Sequence, residues 1–149
     1  MERTLIIVKP DAVQRGLTGE IIRRFEARGL RIAGMKFIQI SRELAEKHYA
    51  EHVGKKFYES LVSYIISGPV VVMALEGKNA VEAARGTIGK TNPVEAAPGT
   101  IRGDLGMEIG RNLVHGSDGA ASAAREVALF FSDAELVNWT RDTERWIFE

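Results

Sequence analysis

Of the three histidines in the chain, His115 has the surroundings that chemistry requires. It closes the short apolar run Asn112-Leu113-Val114 and is followed by Gly116-Ser117-Asp118-Gly119, small residues that lead into an Ala-rich stretch. A histidine at a strand tip, facing the free amides of the next helix, is a competent nucleophile near neutral pH, because much of an imidazole is unprotonated there. Glycines on both sides leave room for a bulky reactant. Glu126, in the helix that follows, can orient the ring as a carboxylate behind it. Lys9, Arg85 and Arg102, with the hydroxyl of Thr91, fall at strand ends, helix ends or loops. If they converge, they suit the equatorial oxygens of a phosphoryl group, whose transfer depends mainly on positioning and charge stabilisation. Taken singly, each has a plainer use: a packed histidine, a solvated arginine, an exposed helix glutamate.

Two other motifs imitate chemistry. Ala84-Arg85-Gly86-Thr87-Ile88-Gly89-Lys90-Thr91 looks like a P-loop with its first glycine replaced by alanine. A phosphate-cradling loop of that kind needs a strand before it and a helix after it. Here helical spacing precedes the segment, and Asn92-Pro93 after it disfavours helix. A helix terminus and turn is the reading that fits. His48-Tyr49-Ala50-Glu51-His52 matches H-x-x-E-H, in which histidines four apart share a helix face and can chelate zinc. A catalytic zinc needs a third ligand, and His115 is the one other histidine, so this reading too stands behind a packing role.

Composition narrows the field. The 149 residues suit one domain over residues 1–149, and a 45% hydrophobic, 27% charged composition is that of a folded chain. Twenty basic residues balance twenty acidic ones, which argues against nucleic acid or an anionic membrane as an obligatory partner. The chain has no cysteine, so disulfides, thiolate metal sites and cysteine nucleophiles are excluded. No apolar run approaches a membrane span, and Leu5–Val8 is too short for a signal segment. A soluble, cytoplasmic protein is expected.

The elements that must position these residues follow from periodicity. Leu5–Val8, ended by Lys9-Pro10, reads as a buried central strand. Thr18 is placed to cap a helix with Ile21, Ile22 and Phe25 inward and Gly29 as its stop. Arg31–Ile40 reads as a strand, with helical spacing after Ser41 and through Phe57–Ile66. Val70–Leu75, after the Ser67-Gly68-Pro69 turn, is the clearest strand. Asn79–Arg85 is helical, Asn112–His115 a short strand, and Ala120–Phe131 Ala-rich. Ser132–Glu135 forms a capping box that predicts a helix through Leu136, Val137 and Trp139. This order fits an α+β, ferredoxin-like split βαβ: an antiparallel four-stranded sheet covered by helices. A doubly wound parallel sheet is the alternative. Thr91–Arg111, broken by prolines and glycines, reads as a long ordered functional loop.

With these residues in place, a resemblance emerges. Asn112-Leu113-Val114-His115-Gly116-Ser117-Asp118 resembles the active-site signature of the nucleoside diphosphate kinases. Thr4–Gly19 with Val8-Lys9-Pro10-Asp11, Ser67-Gly68-Pro69-Val70, Thr91-Asn92-Pro93, Ala97–Asp104 and the ending Trp146-Ile147-Phe148-Glu149 are similar to that family as well. The likeness spans the chain. It implies ping-pong transfer of a γ-phosphoryl group from a nucleoside triphosphate to a diphosphate through a phosphohistidine on His115, with Glu126 orienting the ring. By the same resemblance, Ser117 bonds near the transferred group and Tyr49 lies beside the reaction centre. Arg85, Thr91 and Arg102 hold phosphates, while Lys9 and Asn112 meet the sugar hydroxyls and the phosphate end. Phe57 stacks on the base with Ile109 on its other face, and Leu61 completes the nucleotide site. Stacking accepts any base, so ATP, GTP, ADP, GDP and their deoxy forms are the implied partners.

The resemblance also implies Mg2+ carried by the nucleotide phosphates rather than by protein ligands. It further implies a homo-oligomer, a hexamer in preference to a tetramer. Three positions depart from the family's pattern: Gly119 stands where many relatives carry serine, Leu105 replaces a common phenylalanine, and Lys56 precedes Phe57 where proline is frequent. A non-catalytic nucleotide-binding module is the competing reading, and it leaves His115, Lys9, Asn112 and Glu126 without a shared purpose.

Overall fold

The computed structural model describes residues 1–149. Its four strands are β1 (Glu2–Val8), β2 (Arg31–Ile38), β3 (Val70–Gly77) and β4 (Val114–Gly116). They form one sheet in the order β2-β3-β1-β4, antiparallel at every pairing. The expected α+β, ferredoxin-like arrangement is therefore the observed one, and the parallel alternative is excluded.

Seven helices complete the chain: α1 (Pro10–Gln14), α2 (Thr18–Arg28), α3 (Arg42–His48), α4 (Tyr58–Ile65), α5 (Ala80–Ile88), α6 (Ile101–Leu105) and α7 (Ala120–Phe130). They lie on both faces of the sheet, which explains why β1 and β3 read as continuous apolar runs rather than alternating ones. Ile6, Val8, Met73 and Leu75 pack with α2 and α5 residues such as Phe25 and Ala84. Leu5, Ile7, Val72 and Ala74 pack on the other face with Val62, Val127 and Phe130. Directly opposed residues of neighbouring strands share a face. His115 pairs with Ile7, so the sheet directs it towards the layer built by α3, α4 and α7.

Several local expectations need correcting. Thr18 opens α2 but does not cap it; Leu17 occupies that position without a side-chain bond. Gly29 stops the helix as expected, with φ +110° in the left-handed region glycine favours. Thr91–Arg111 is more structured than a loop. Thr100 caps α6 by accepting from the Gly103 amide, and the helix is too short to register as periodicity. The Ser132–Glu135 capping box forms, yet it opens only a single 3-10 turn, Asp133–Glu135. Beyond it the chain is drawn to the β2 backbone instead. Val137 N–H donates to the Ala33 carbonyl at 2.7 Å, and the Trp139 indole to that of Ile32 at 2.8 Å. No helix is long and apolar enough to cross a membrane.

Candidate active site

A cleft of about 740 Å³ opens where β1 ends and β4 begins, bounded by α3, α4, α5 and the 91–111 segment. His115, Glu126, Tyr49, Lys9 and Asn112 line it on the sheet side. Arg85, Thr91 and Arg102 line the α5–α6 side, and Phe57, Leu61 and Ile109 the mouth. Phe57 and Ile109 are 49% and 59% exposed, apolar surface left open at the entrance. Ser117 does not reach the cleft. It is fully buried, and its hydroxyl donates to Glu126 Oε1 at 2.9 Å while accepting the Leu5 amide at 3.1 Å. A larger but shallow depression of about 1270 Å³ lies beside Arg24 and Lys78. Two of its arginines are already paired, Arg23 and Arg24 with Glu20 and Arg24 also with Asp104, and no histidine lines it.

The cleft has a consistent chemical logic. His115 Nε2 lies 2.8 Å from Glu126 Oε1. Burial raises the Glu126 carboxyl, but the His115 hydrogen bond, the His115 and His48 charges and the Ser117 hydroxyl prevail and hold it below its usual range. An ionised carboxylate only accepts, so Nε2 carries the proton and Nδ1 keeps its lone pair. The ring is thus oriented, polarised and left with one nucleophilic nitrogen. Burial pushes the Tyr49 phenol up to about 12, helped by the Glu126 charge, so it remains a donor.

The cations are arranged to hold an anion. Lys9 Nζ donates to Asn112 Oδ1 at 2.9 Å, and Asn112 Nδ2 to the Thr91 carbonyl at 3.1 Å. Burial, then the Arg102 charge, pull Lys9 down to about 8, partly opposed by Asp11. Burial, then the Arg85 charge, bring Arg102 to about 10. Each cation is depressed by its cationic neighbour, a repulsion that bound phosphates would relieve.

Lys9 therefore makes a prediction of its own. Its folded-state value lies below its unfolded one, so keeping it charged costs stability at neutral pH, a cost that fades as pH rises from about 8 towards 10.5. Lys9→Met is expected to raise stability by about 1–2 kcal/mol at pH 7 while lowering kcat/KM. In calorimetry the stabilisation should shrink between pH 8 and 10.5. A variant that melts below the native protein at pH 7 would contradict this.

The look-alike motifs resolve as packing. α5 runs unbroken to Ile88, so no strand precedes the P-loop-like segment. α3 ends at His48 and His52 lies in a separate 3-10 turn, so the two do not share a helix face. His48 instead packs edge-to-face on His115, ring centroids 4.8 Å apart and planes at 83°. His48, His115 and Glu126 bring ligand atoms within 4.8 Å of one another, but a proton already bridges the last two. Sequence reasoning missed Tyr64, which lines the cleft, and Asp11, which its hydroxyl bonds. Asp11 lay within the Val8-Lys9-Pro10-Asp11 motif, whereas nothing marked Tyr64 among the apolar residues of α4.

Over its whole length the chain is similar to known proteins. The profile of the nucleoside diphosphate kinase family matches residues 2–136. The chain belongs to this family. A nucleoside diphosphate kinase of Pelotomaculum thermopropionicum is 62% identical over 149 residues, all of both chains. One of Synechococcus sp. (strain JA-3-3Ab) is 60% identical over the same length. Among solved structures, a nucleoside diphosphate kinase of Halobacterium salinarum in complex with CDP is 53% identical. It superimposes with a TM-score of 0.95, covering 99% of each chain. The protein is accordingly an enzyme, a nucleoside diphosphate kinase by family, that transfers phosphoryl groups between nucleotides.

Proposed function

We propose that His115 is the residue through which the phosphoryl group passes, and that residues 1–149 form a single kinase domain around it. The observation that carries this reading is the Glu126–Nε2 contact, which leaves Nδ1 as the free nitrogen. Nδ1 attacks the γ-phosphorus of a nucleoside triphosphate. The N–P bond forms as the bond to the β-bridging oxygen breaks, and the nucleoside diphosphate leaves with that electron pair. In the second half-reaction a terminal oxygen of another diphosphate attacks the same phosphorus and releases Nδ1. Glu126 stabilises the positive charge that develops on the ring. Lys9, Arg85, Arg102 and Thr91 hold phosphate oxygens, Asn112 fixes Lys9 and meets the sugar end, and Tyr49 donates beside the reacting nitrogen. Ser117 acts through Glu126 and has no direct contact with the phosphoryl group.

Phe57 and Ile109 sandwich the base, with Leu61 at its edge. This supports use of ATP, GTP, ADP, GDP and the deoxy forms alike. The cleft fits a nucleotide-borne magnesium ion better than a protein-held one. Mg2+ demands oxygen ligands, whereas the clustered donors are two imidazoles and a carboxylate already bonded to His115 and Ser117. When bound, the ion neutralises charge on the β- and γ-oxygens. Met35 and Phe37, exposed on the edge strand β2, support a homo-oligomer, and the family resemblance favours a hexamer. Composition favours the cytoplasm.

Incubation of the native protein with γ-labelled ATP and Mg2+, without acceptor, is the test. A stoichiometric, acid-labile adduct discharged by GDP, with parallel lines in double-reciprocal plots, is the expected result. Intersecting lines and no adduct would refute transfer through the enzyme.

A further inference from the structure

The strand that carries His115 is entered through a strained turn. Val114 N–H donates to the Asn112 carbonyl at 2.8 Å, and Leu113 between them has φ +75°. This is the γ-turn of the rare, sterically disfavoured kind. It is imposed here on a fully buried leucine rather than on glycine or asparagine. Such a conformation persists only where its surroundings over-determine it, and here both peptide groups of Leu113 are pinned. Its N–H donates to Asp11 Oδ2 at 3.1 Å, and its carbonyl accepts from the Lys9 amide at 2.9 Å. Asp11 is itself fixed from α4. The Tyr64 hydroxyl donates to its other carboxylate oxygen and accepts the Asp11 amide at 3.3 Å. The Tyr64 ring lies 4.5 Å from the Arg111 guanidinium, which holds it in place.

The nucleophile needs such a device because β4 is too short to secure its own register. It pairs with β1 over three residues, Ile6–Gly116, Ile7–His115 and Val8–Val114. A slip of one residue would turn His115 to the opposite face of the sheet, away from Glu126. We propose that Tyr64 and Asp11 are positioning residues that lock the strained Leu113 turn and, through it, hold His115 and Asn112 aligned for phosphoryl transfer. This inference rests on His115 being the nucleophile. Neither side chain is asked to touch the transferred group. The lock acts on distance and angle at Nδ1, where a displacement of about 1 Å can cost roughly a hundredfold in rate.

Tyr64→Phe tests the lock with the least disturbance, since it removes one hydroxyl and keeps the ring under Arg111. Its rate constant for His115 phosphorylation in a single turnover is expected to fall about tenfold or more. The KM for MgATP should move less than about threefold, because Arg85 and Phe57 are not attached to the turn. The 15N spectrum of His115 should change from one fixed Nε2–H tautomer to a mixture. Asp11→Asn should shift all three readouts in the same direction. Native protein run in parallel separates the two readings: no adduct on native protein defeats the nucleophile assignment. A native adduct with unchanged rate and unchanged ring spectrum in Tyr64→Phe overturns the lock, even if the variant melts lower.

Discussion

His115→Ala is expected to abolish the labelled adduct and to lower steady-state phosphoryl transfer by at least about 10⁴-fold. The size of the effect follows from the lack of a substitute. Burial, then the Glu126 charge, keep the Tyr49 phenol near 12, so it is not a nucleophile at neutral pH. His48 is the nearest imidazole, packed on His115 and on Phe130 with ring centroids 5.5 Å apart in the latter case. Its ring is buried, and burial, followed by the His115 charge, holds it down to about 3. That leaves it neutral but enclosed. The variant should fold, because the alanine leaves Glu126 bonded to Ser117 at 2.9 Å. Losing one charge-assisted partner of a buried carboxylate predicts a destabilisation of about 1–3 kcal/mol. Label retained on the variant, followed by mapping of the phosphorylated residue, would reassign the nucleophile.

Much of this was legible in the chain because the signals were local. The apolar runs Leu5–Val8 and Val70–Leu75 announced buried strands, and the strand–helix order led to the antiparallel sheet. His115 declared itself by the small residues after it, and the basic residues by their positions at element ends. What the chain could not reveal was long-range geometry. Ser117 was placed near the transferred group by the family's signature. Two residues on from His115 and on the same face of the sheet, it meets the Glu126 oxygen that also bonds the ring, and it accepts the Leu5 amide from the core side. The failed helix after Ser132 has the same origin. Its capping box satisfies the local rule, but the unpaired edge carbonyls of β2 offer Val137 and Trp139 better partners 104 and 107 residues away in sequence. Tyr64 escaped notice because its helical spacing is that of an ordinary core residue. Its function lies in one oxygen atom meeting Asp11, 53 residues away.

Arg102→Met is expected to lower both stability and activity, and the arithmetic decides the sign. Arg102 spends three of the five guanidinium N–H groups on backbone carbonyls: Nε on Asn112 at 3.1 Å, one terminal nitrogen on Gly89 at 3.3 Å, the other on Val114 at 2.6 Å. Removing the charge relieves the cost of burying it beside Arg85, about 3 kcal/mol from a value lowered to about 10. Three charge-assisted hydrogen bonds at about 1.5–3 kcal/mol each outweigh that relief. The net loss is about 3 kcal/mol, or a Tm lower by roughly 6–12 °C for a domain of this size. The carbonyls of Asn112 and Val114 also frame the Leu113 turn, so the loss is felt next to the nucleophile. The two N–H groups left over can meet phosphate, and their removal should cost about a hundredfold or more in kcat/KM. Arg102→Lys separates the two effects. A lysine restores the charge but cannot bridge three carbonyls and an anion together. Activity should therefore return in part while the melting temperature stays low. A methionine variant melting within about 1 °C of the native protein would mean that the guanidinium serves the ligand alone and that β4 is held without it.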